Sequence, residues 1–192
     1  MRNQSLKFSV LASGQPKGYT LVELLVVLAV GALLMLIAVP ALTGMLNSQK
    51  AISTINALYT SLNLARSEAI KRNARAVLCK TADGLSCTHN GGWEQGWILF
   101  HDANNNAVFD PGETVLHQQG PAPAGVRLTG NLPVAHYVSY SPAGTAKLPS
   151  GAFQAGTFTL CMASAPSVDI RQVVLPSTGR ARTQKGKIGD CA

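Results

Sequence analysis

Five cations gather near the end of the chain: Arg171, Arg180, Arg182, Lys185 and Lys187. Arg180 and Arg182 are two apart, so on an extended segment they share one side, about 7 Å from each other. Lys185 and Lys187 repeat that spacing, and Arg171 can join them from a preceding strand. Guanidinium forks fit phosphate oxygens and lysines add point charge, so the chemistry on offer is capture of an anion. No Tyr, Phe or Trp lies between residues 171 and 192. Base stacking is therefore not indicated, and recognition of a nucleic acid would be neutral to sequence. The competing reading is a solvated charge run, or a patch that meets an acidic neighbour.

Asp102, Asn104, Asn106, Asp110 and Glu113 have the oxygen-ligand spacing of a calcium-binding EF-hand loop. Ala107 stands where that loop needs glycine, and the flanks read as strands, so a plain hairpin loop is the better expectation. The histidines, His89, His101, His117 and His136, are scattered. No nucleophile elbow or phosphate-binding glycine loop occurs, so neither an enzyme nor a cofactor is expected. Leu175-Pro176-Ser177-Thr178-Gly179 matches a sortase motif, but no membrane span follows it, which leaves a strand running into a turn. Cys79, Cys87, Cys161 and Cys191 allow three pairings, of which the most local is Cys79–Cys87 with Cys161–Cys191. Their spacing lacks the short ligand pairs of a zinc site.

The elements that position these residues begin with an apolar segment. The chain has 192 residues, a formal net charge of +7 and only 13% charged residues. Disorder and a purely cytosolic globule are both disfavoured. Residues 1–49, 50–80, 81–170 and 171–192 sum to +2, +5, −4 and +4, so two basic blocks flank an acidic body. No ionisable side chain lies between Glu23 and Lys50. About 20 such residues cross a bilayer, and the preceding Arg2, Lys7 and Lys17 would stay cytoplasmic.

Glu23 is the anomaly of that segment. A carboxylate in an apolar run costs at least a few kcal/mol and needs a partner or a purpose. An ordinary signal peptide cut after Val39-Pro40-Ala41, with a mature chain starting near Leu42, leaves Glu23 unexplained. Cleavage after Gly18 would instead create an α-amino group on Tyr19, one turn from Glu23. Pro40, with Gly44 after it, is expected to kink or locally melt the helix.

After Lys50 the pattern becomes amphipathic, with Ile52, Ile55, Leu58, Leu62, Ala65 and Ala69 at helical steps. One helix from near Leu21 to near Arg72 is expected, about 75 Å long. Strands are expected at residues 76–80, 96–101, 114–118, 136–141, 157–162 and 170–176. The fold class is α+β, with the second half of the long helix packed on an antiparallel sheet. Trp93 and Trp97 read as core anchors around a turn.

Gly18-Tyr19-Thr20-Leu21-Val22-Glu23 resembles the leader motif of type IV prepilins and pseudopilins. Trp93-Glu94-Gln95-Gly96-Trp97, Phe100, Asp102–Asn106 and Ser177–Arg182 are similar to the GspH/FimT family. The resemblance implies a leader over residues 1–18, a transmembrane and filament-core helix over 19–47, and a periplasmic pilin domain over 48–192. It implies cleavage and methylation by prepilin peptidase at Gly18 and Tyr19, and pairing of Glu23 with a neighbouring subunit's amino terminus. The implied partners are other minor pilins or pseudopilins and the inner membrane. In the FimT branch a Gly-Arg-x-Arg motif is associated with DNA binding in natural transformation, and Gly179-Arg180-Ala181-Arg182 matches it. The alternative within the same resemblance is a type II secretion pseudopilin. Intact mass of the purified protein should show a chain beginning at a methylated Tyr19; a start near Leu42 would remove the leader assignment.

Overall fold

The computed structural model describes residues 18–162 and 170–187. The chain divides into two units, one ending at Thr43 and the other starting at Gly44. Helix α1, Leu21–Arg72, passes from the first into the second with Pro40 inside it. The helical assignment is unbroken at Pro40, so the expected local melting is not found.

In the first unit the apolar side chains of α1, from Leu21 to Val39, stand exposed. The segment is long and apolar enough to cross a membrane. At the other end of α1, Asn73 turns to φ 48°, and the Ala74 N–H reaches back to the Ala69 carbonyl at 3.2 Å. That is a left-handed helix stop. Lys71 and Arg72 in the last turn suit the negative end of the helix, and Arg72 pairs with Glu68 at 2.6 Å.

In the second unit, Ala51, Ile55, Leu58, Leu62, Ala65 and Ala69 are buried at alternating four- and three-residue steps. This seam is covered by eight strands: β1 Arg75–Lys80, β2 Trp97–Asp102, β3 Val115–Gln119, β4 Val126–Gly130, β5 Tyr137–Tyr140, β6 Gly156–Met162, β7 Arg171–Leu175 and β8 Arg182–Lys185. They form two four-stranded sheets, ordered β3-β2-β1-β5 and β4-β6-β7-β8. The pairings within both are antiparallel. The six expected strands are present, but β4 and β8 were not anticipated, and one sheet becomes two.

The helix seam, Leu78, Trp97 and Leu99 of the first sheet, and Leu128, Phe158, Leu160 and Val173 of the second share one core. The first sheet is covered on its other face too, where Val77, Cys79, Ile98 and Phe100 pack with Ala107. Burial on both faces explains why β1 and β2 read as solid apolar runs instead of alternating ones. Trp93 and Trp97 are fully buried, as expected of anchors. Their indole N–H groups donate to the Val134 carbonyl at 3.0 Å and Ser61 Oγ at 2.9 Å. Each large ring thus gains its burial without stranding a donor.

The loop after β1 is tied down three ways. A disulfide joins Cys79 to Cys87, the most local of the expected pairings. Buried Lys80 donates to the carbonyls of His89 and Gly91 at 2.9 and 2.6 Å. The Asp83 carboxylate accepts the N–H groups of Leu85 and Ser86 and the Ser86 hydroxyl, which hold it well below the usual carboxylate range. Cys161 is also disulfide-bonded. Cys191, its expected partner, lies outside the described residues.

His136 packs edge-on against His89, ring centroids 4.6 Å apart. Burial, then the charges of Lys80 and His89, push its pKa below the ordinary 6.5. On acidification the unfolded chain takes up a proton at His136 before the folded one does. Stability is then fully present above about pH 6.5 and falls as pH drops through it. Asp83, Asp110 and Glu68, all held low, add their losses only in the carboxylate range further down. Thermal unfolding of the full chain in neutral detergent should show a lower midpoint at pH 5.5 than at pH 7. His136→Gln should shrink that difference; an unchanged difference would remove His136 as its source.

Candidate functional site

The basic tail is built on β7, a turn and β8. Leu175 ends β7 in the core, and the Gly179 N–H closes the turn on the Pro176 carbonyl at 2.9 Å. The strand-and-turn reading of Leu175–Gly179 therefore holds. Gly179 has φ 76°, and a Cβ there would stand 2.3 Å from the Gly144 carbonyl oxygen and 3.1 Å from a Tyr140 ring carbon. Only glycine lets the backbone pass so close with that φ. Ala181 then packs against the core while Arg180 and Arg182 on either side of it are exposed. Their shared side, expected from spacing alone, has a structural cause: the residue between them is turned inward.

The cations do not form one patch. The β7–β8 register pairs Arg171 with Lys185, Val173 with Thr183 and Val174 with Arg182. Val173 is a core residue. Arg171, Thr183 and Lys185 therefore lie on the helix-facing side of the sheet, and Arg182 on the opposite side. A groove of about 190 Å³ runs between α1 and β8, bordered by Ile55, Asn56, Arg171, Thr183, Gln184 and Lys185. Lys187 is exposed two residues further on. Sequence reasoning missed Asn56 and Thr183. The signal was present in the Arg182–Lys185 interval, an odd spacing that splits the pair across a strand.

The amino-terminal motif belongs to the first unit. Tyr19 is 87% exposed, and nothing crowds Gly18. Thr20 caps α1: its Oγ1 accepts the Glu23 N–H at 3.2 Å and its carbonyl accepts the Leu24 N–H at 3.1 Å. Thr20-x-x-Glu23 is also capping-box spacing, so Glu23 sits where a carboxylate favours helix entry. That local role went unnoticed in the sequence and is compatible with a second one.

The Asp102–Glu113 segment is a loop joining β2 to β3. Asp102 is buried and accepts the N–H groups of Asn106 and Ala107 at 3.1 and 2.8 Å. The amides of Asn104 and Asn106 both donate to Asp110, and Glu113 accepts the Ala103 and Asp110 N–H groups. Ala107 reaches φ 59° without being glycine. Asp102 also faces Arg75, Nε to Oδ2 at 3.8 Å, and among the described residues no group of three or more His, Cys, Asp or Glu suits a metal.

Residues 54–179 match the family described as type II transport protein GspH. Residues 15–39 match the prokaryotic N-terminal methylation motif. The pilin-like protein PilA1 of Thermus thermophilus is 32% identical over 176 residues, spanning 88% of this chain and 98% of its own. The type IV minor pilin FimU of Pseudomonas aeruginosa has the same fold at TM-score 0.52 and 18% identity, over 75% of this chain and 93% of its own. The minor pseudopilin EpsH from the type 2 secretion system of Vibrio cholerae superposes at TM-score 0.49 and 13% identity, over 71% and 97%.

The close approach at Gly179 can be checked directly. Gly179→Ala should cost about 1–3 kcal/mol, because it strains the backbone and displaces Gly144. Exposed Thr178→Ala should stay within about 0.5 kcal/mol. Denaturant unfolding of the two variants separates these outcomes.

Proposed function

The chain belongs to the GspH family of pilin-like proteins, and we propose that within it the chain is a minor pilin of a type IV pilus that binds DNA without sequence preference. Prepilin peptidase removes residues 1–18 and methylates Tyr19. The apolar start of α1 anchors the protein in the inner membrane, with the folded domain on the periplasmic side. During assembly Glu23 is neutralised by the amino terminus of a neighbouring pilin, which offsets the cost of a carboxylate in an apolar filament core. Once in the pilus the domain faces the outside, catches DNA by its phosphates, and retraction draws it inward.

The observation that carries the DNA reading is the Gly179 turn, which leaves Arg180 and Arg182 exposed on one side with Ala181 packed inward. Two guanidinium forks so placed can engage neighbouring phosphates. The family description itself supports a second reading, a type II secretion pseudopilin that moves protein cargo. A deletion strain separates them: loss of transformation supports the first, loss of exoprotein release the second.

Fluorescence anisotropy with a labelled duplex and the full chain in neutral-detergent micelles gives the direct test. With Arg180 and Arg182 each neutralising one phosphate, log affinity should fall against log salt with a slope of about −2. Arg180→Ala with Arg182→Ala should weaken binding to all sequences alike and remove most of that slope. Unchanged affinity in a folded double variant would overturn the proposal.

A further inference from the structure

The loop clamped by Lys80 holds the only Asn-Gly pair of the sequence, Asn90-Gly91. A glycine after asparagine has no Cβ to shield its backbone nitrogen, which can therefore reach the side-chain carbonyl carbon of the residue before it. Asn90 and Gly91 are both exposed. Among the described residues nothing binds the Asn90 side-chain amide, and nothing accepts the Gly91 N–H. Attack by that nitrogen requires loss of its proton, which places negative charge on the Asn90 carbonyl oxygen. That oxygen already accepts the Gln95 side-chain amide, Nε2 to O at 2.9 Å. Lys80 donates to the carbonyls on either side of it, those of His89 and Gly91, at 2.9 and 2.6 Å. A fixed donor and a nearby cation at the place where charge develops lower a barrier. Gln95 Nε2 lies in the place that a Cβ at residue 91 would take, so the missing side chain also makes room for the donor.

We propose that Asn90 is a site of self-modification, converted through a succinimide to aspartate and isoaspartate, with Gln95 and the Lys80 charge promoting the first step. The Gly91 nitrogen gives its proton to hydroxide and bonds to Asn90 Cγ. The Cγ–Nδ2 bond breaks, and the nitrogen leaves as ammonia after taking a proton from water, which restores the hydroxide. Water then opens the ring at either carbonyl, adding OH to the carbon and H to the nitrogen. Opening at Cγ gives aspartate, and opening at the backbone carbonyl gives isoaspartate. The sum is amide plus water to acid plus ammonia, with nothing oxidised or reduced. In isoaspartate the chain runs through Cβ and Cγ, one carbon longer than before. The His89 and Gly91 carbonyls are then wrongly spaced for a single ammonium, and the Lys80 clamp opens.

The test incubates the full chain in neutral-detergent micelles at mildly alkaline pH and maps its peptides by mass and by isoaspartate content. Conversion at residue 90 is expected, faster as pH rises. Asn131 is the internal control, because its Oδ1 accepts the Thr157 N–H and Leu132 follows it, and it should stay unchanged. Gln95→Met keeps the length of the side chain without its donor and should slow conversion about tenfold, the worth of one hydrogen bond to a charged group. Limited proteolysis reads the clamp. The incubated chain should be cut between Cys79 and Gly91 faster than the fresh one. Freshly purified Asn90→Asp, which carries the product's charge on an ordinary backbone, should resist like the fresh chain. An Asn90 that stays intact, or converts no faster than Asn131, overturns the site. Equal rates with and without Gln95→Met overturn the promotion by Gln95, and unchanged resistance of the isoaspartate form overturns the opening of the clamp.

Discussion

The folded domain depends on one seam, the line of Ala51, Ile55, Leu58, Leu62, Ala65 and Ala69 along the second half of α1. Both sheets contribute to the core that this seam enters. Leu58 and Leu62, both fully buried, supply the bulk of the seam, and Ala51, Ala65 and Ala69 complete it. Apolar burial of this kind is the largest favourable contribution to such a domain. It needs nothing from the helix before Gly44, whose apolar side chains stay outside the core. The same helix can therefore serve a membrane with one half and a folded domain with the other.

From the seam outward, position is passed along by close contacts. Arg66 of α1 donates to the Gly144 carbonyl at 2.8 Å. The Gly144 turn lies against Gly179, which in turn sets where Arg180 and Arg182 emerge. Cations exposed on flexible loops lose much rotamer and backbone freedom on binding. Here the backbone part of that loss is already met in folding, because the turn beneath Arg180 is packed against the core. The amino-terminal features obey a separate logic, in which Thr20 and Glu23 serve helix entry.

Much of this was legible in the residues. The change of period at Lys50 marked where α1 begins to bury a face. The apolar runs at Ala76–Cys79 and Trp97–Phe100 marked strands, and the cover on their second face became visible only in the structure. Phe158, Leu160 and Met162 alternated with smaller residues, and the structure places all three in the core. What was not legible depends on distant pairing. Arg182-Thr183-Gln184-Lys185 has no apolar side, so only its ladder with β7 makes it a strand. Val126–Gly130 is short and bounded by glycines, and its alternation shows mainly once β6 is beside it. The division into two sheets, and with it the separation of Arg182 from Lys185, follows from strand order, which local pattern does not encode.

The tethered loop after β1 has a consequence for resistance to proteolysis. A protease must draw several residues into an extended line within its cleft before it can cut. Between Cys79 and Gly91 the chain is clamped by a covalent bridge, by an ammonium holding two carbonyls and by a carboxylate gathering its own backbone. Yielding a cleavable stretch there would mean giving up several of these restraints together. This surface loop is thus held in a form that a protease cannot readily grip.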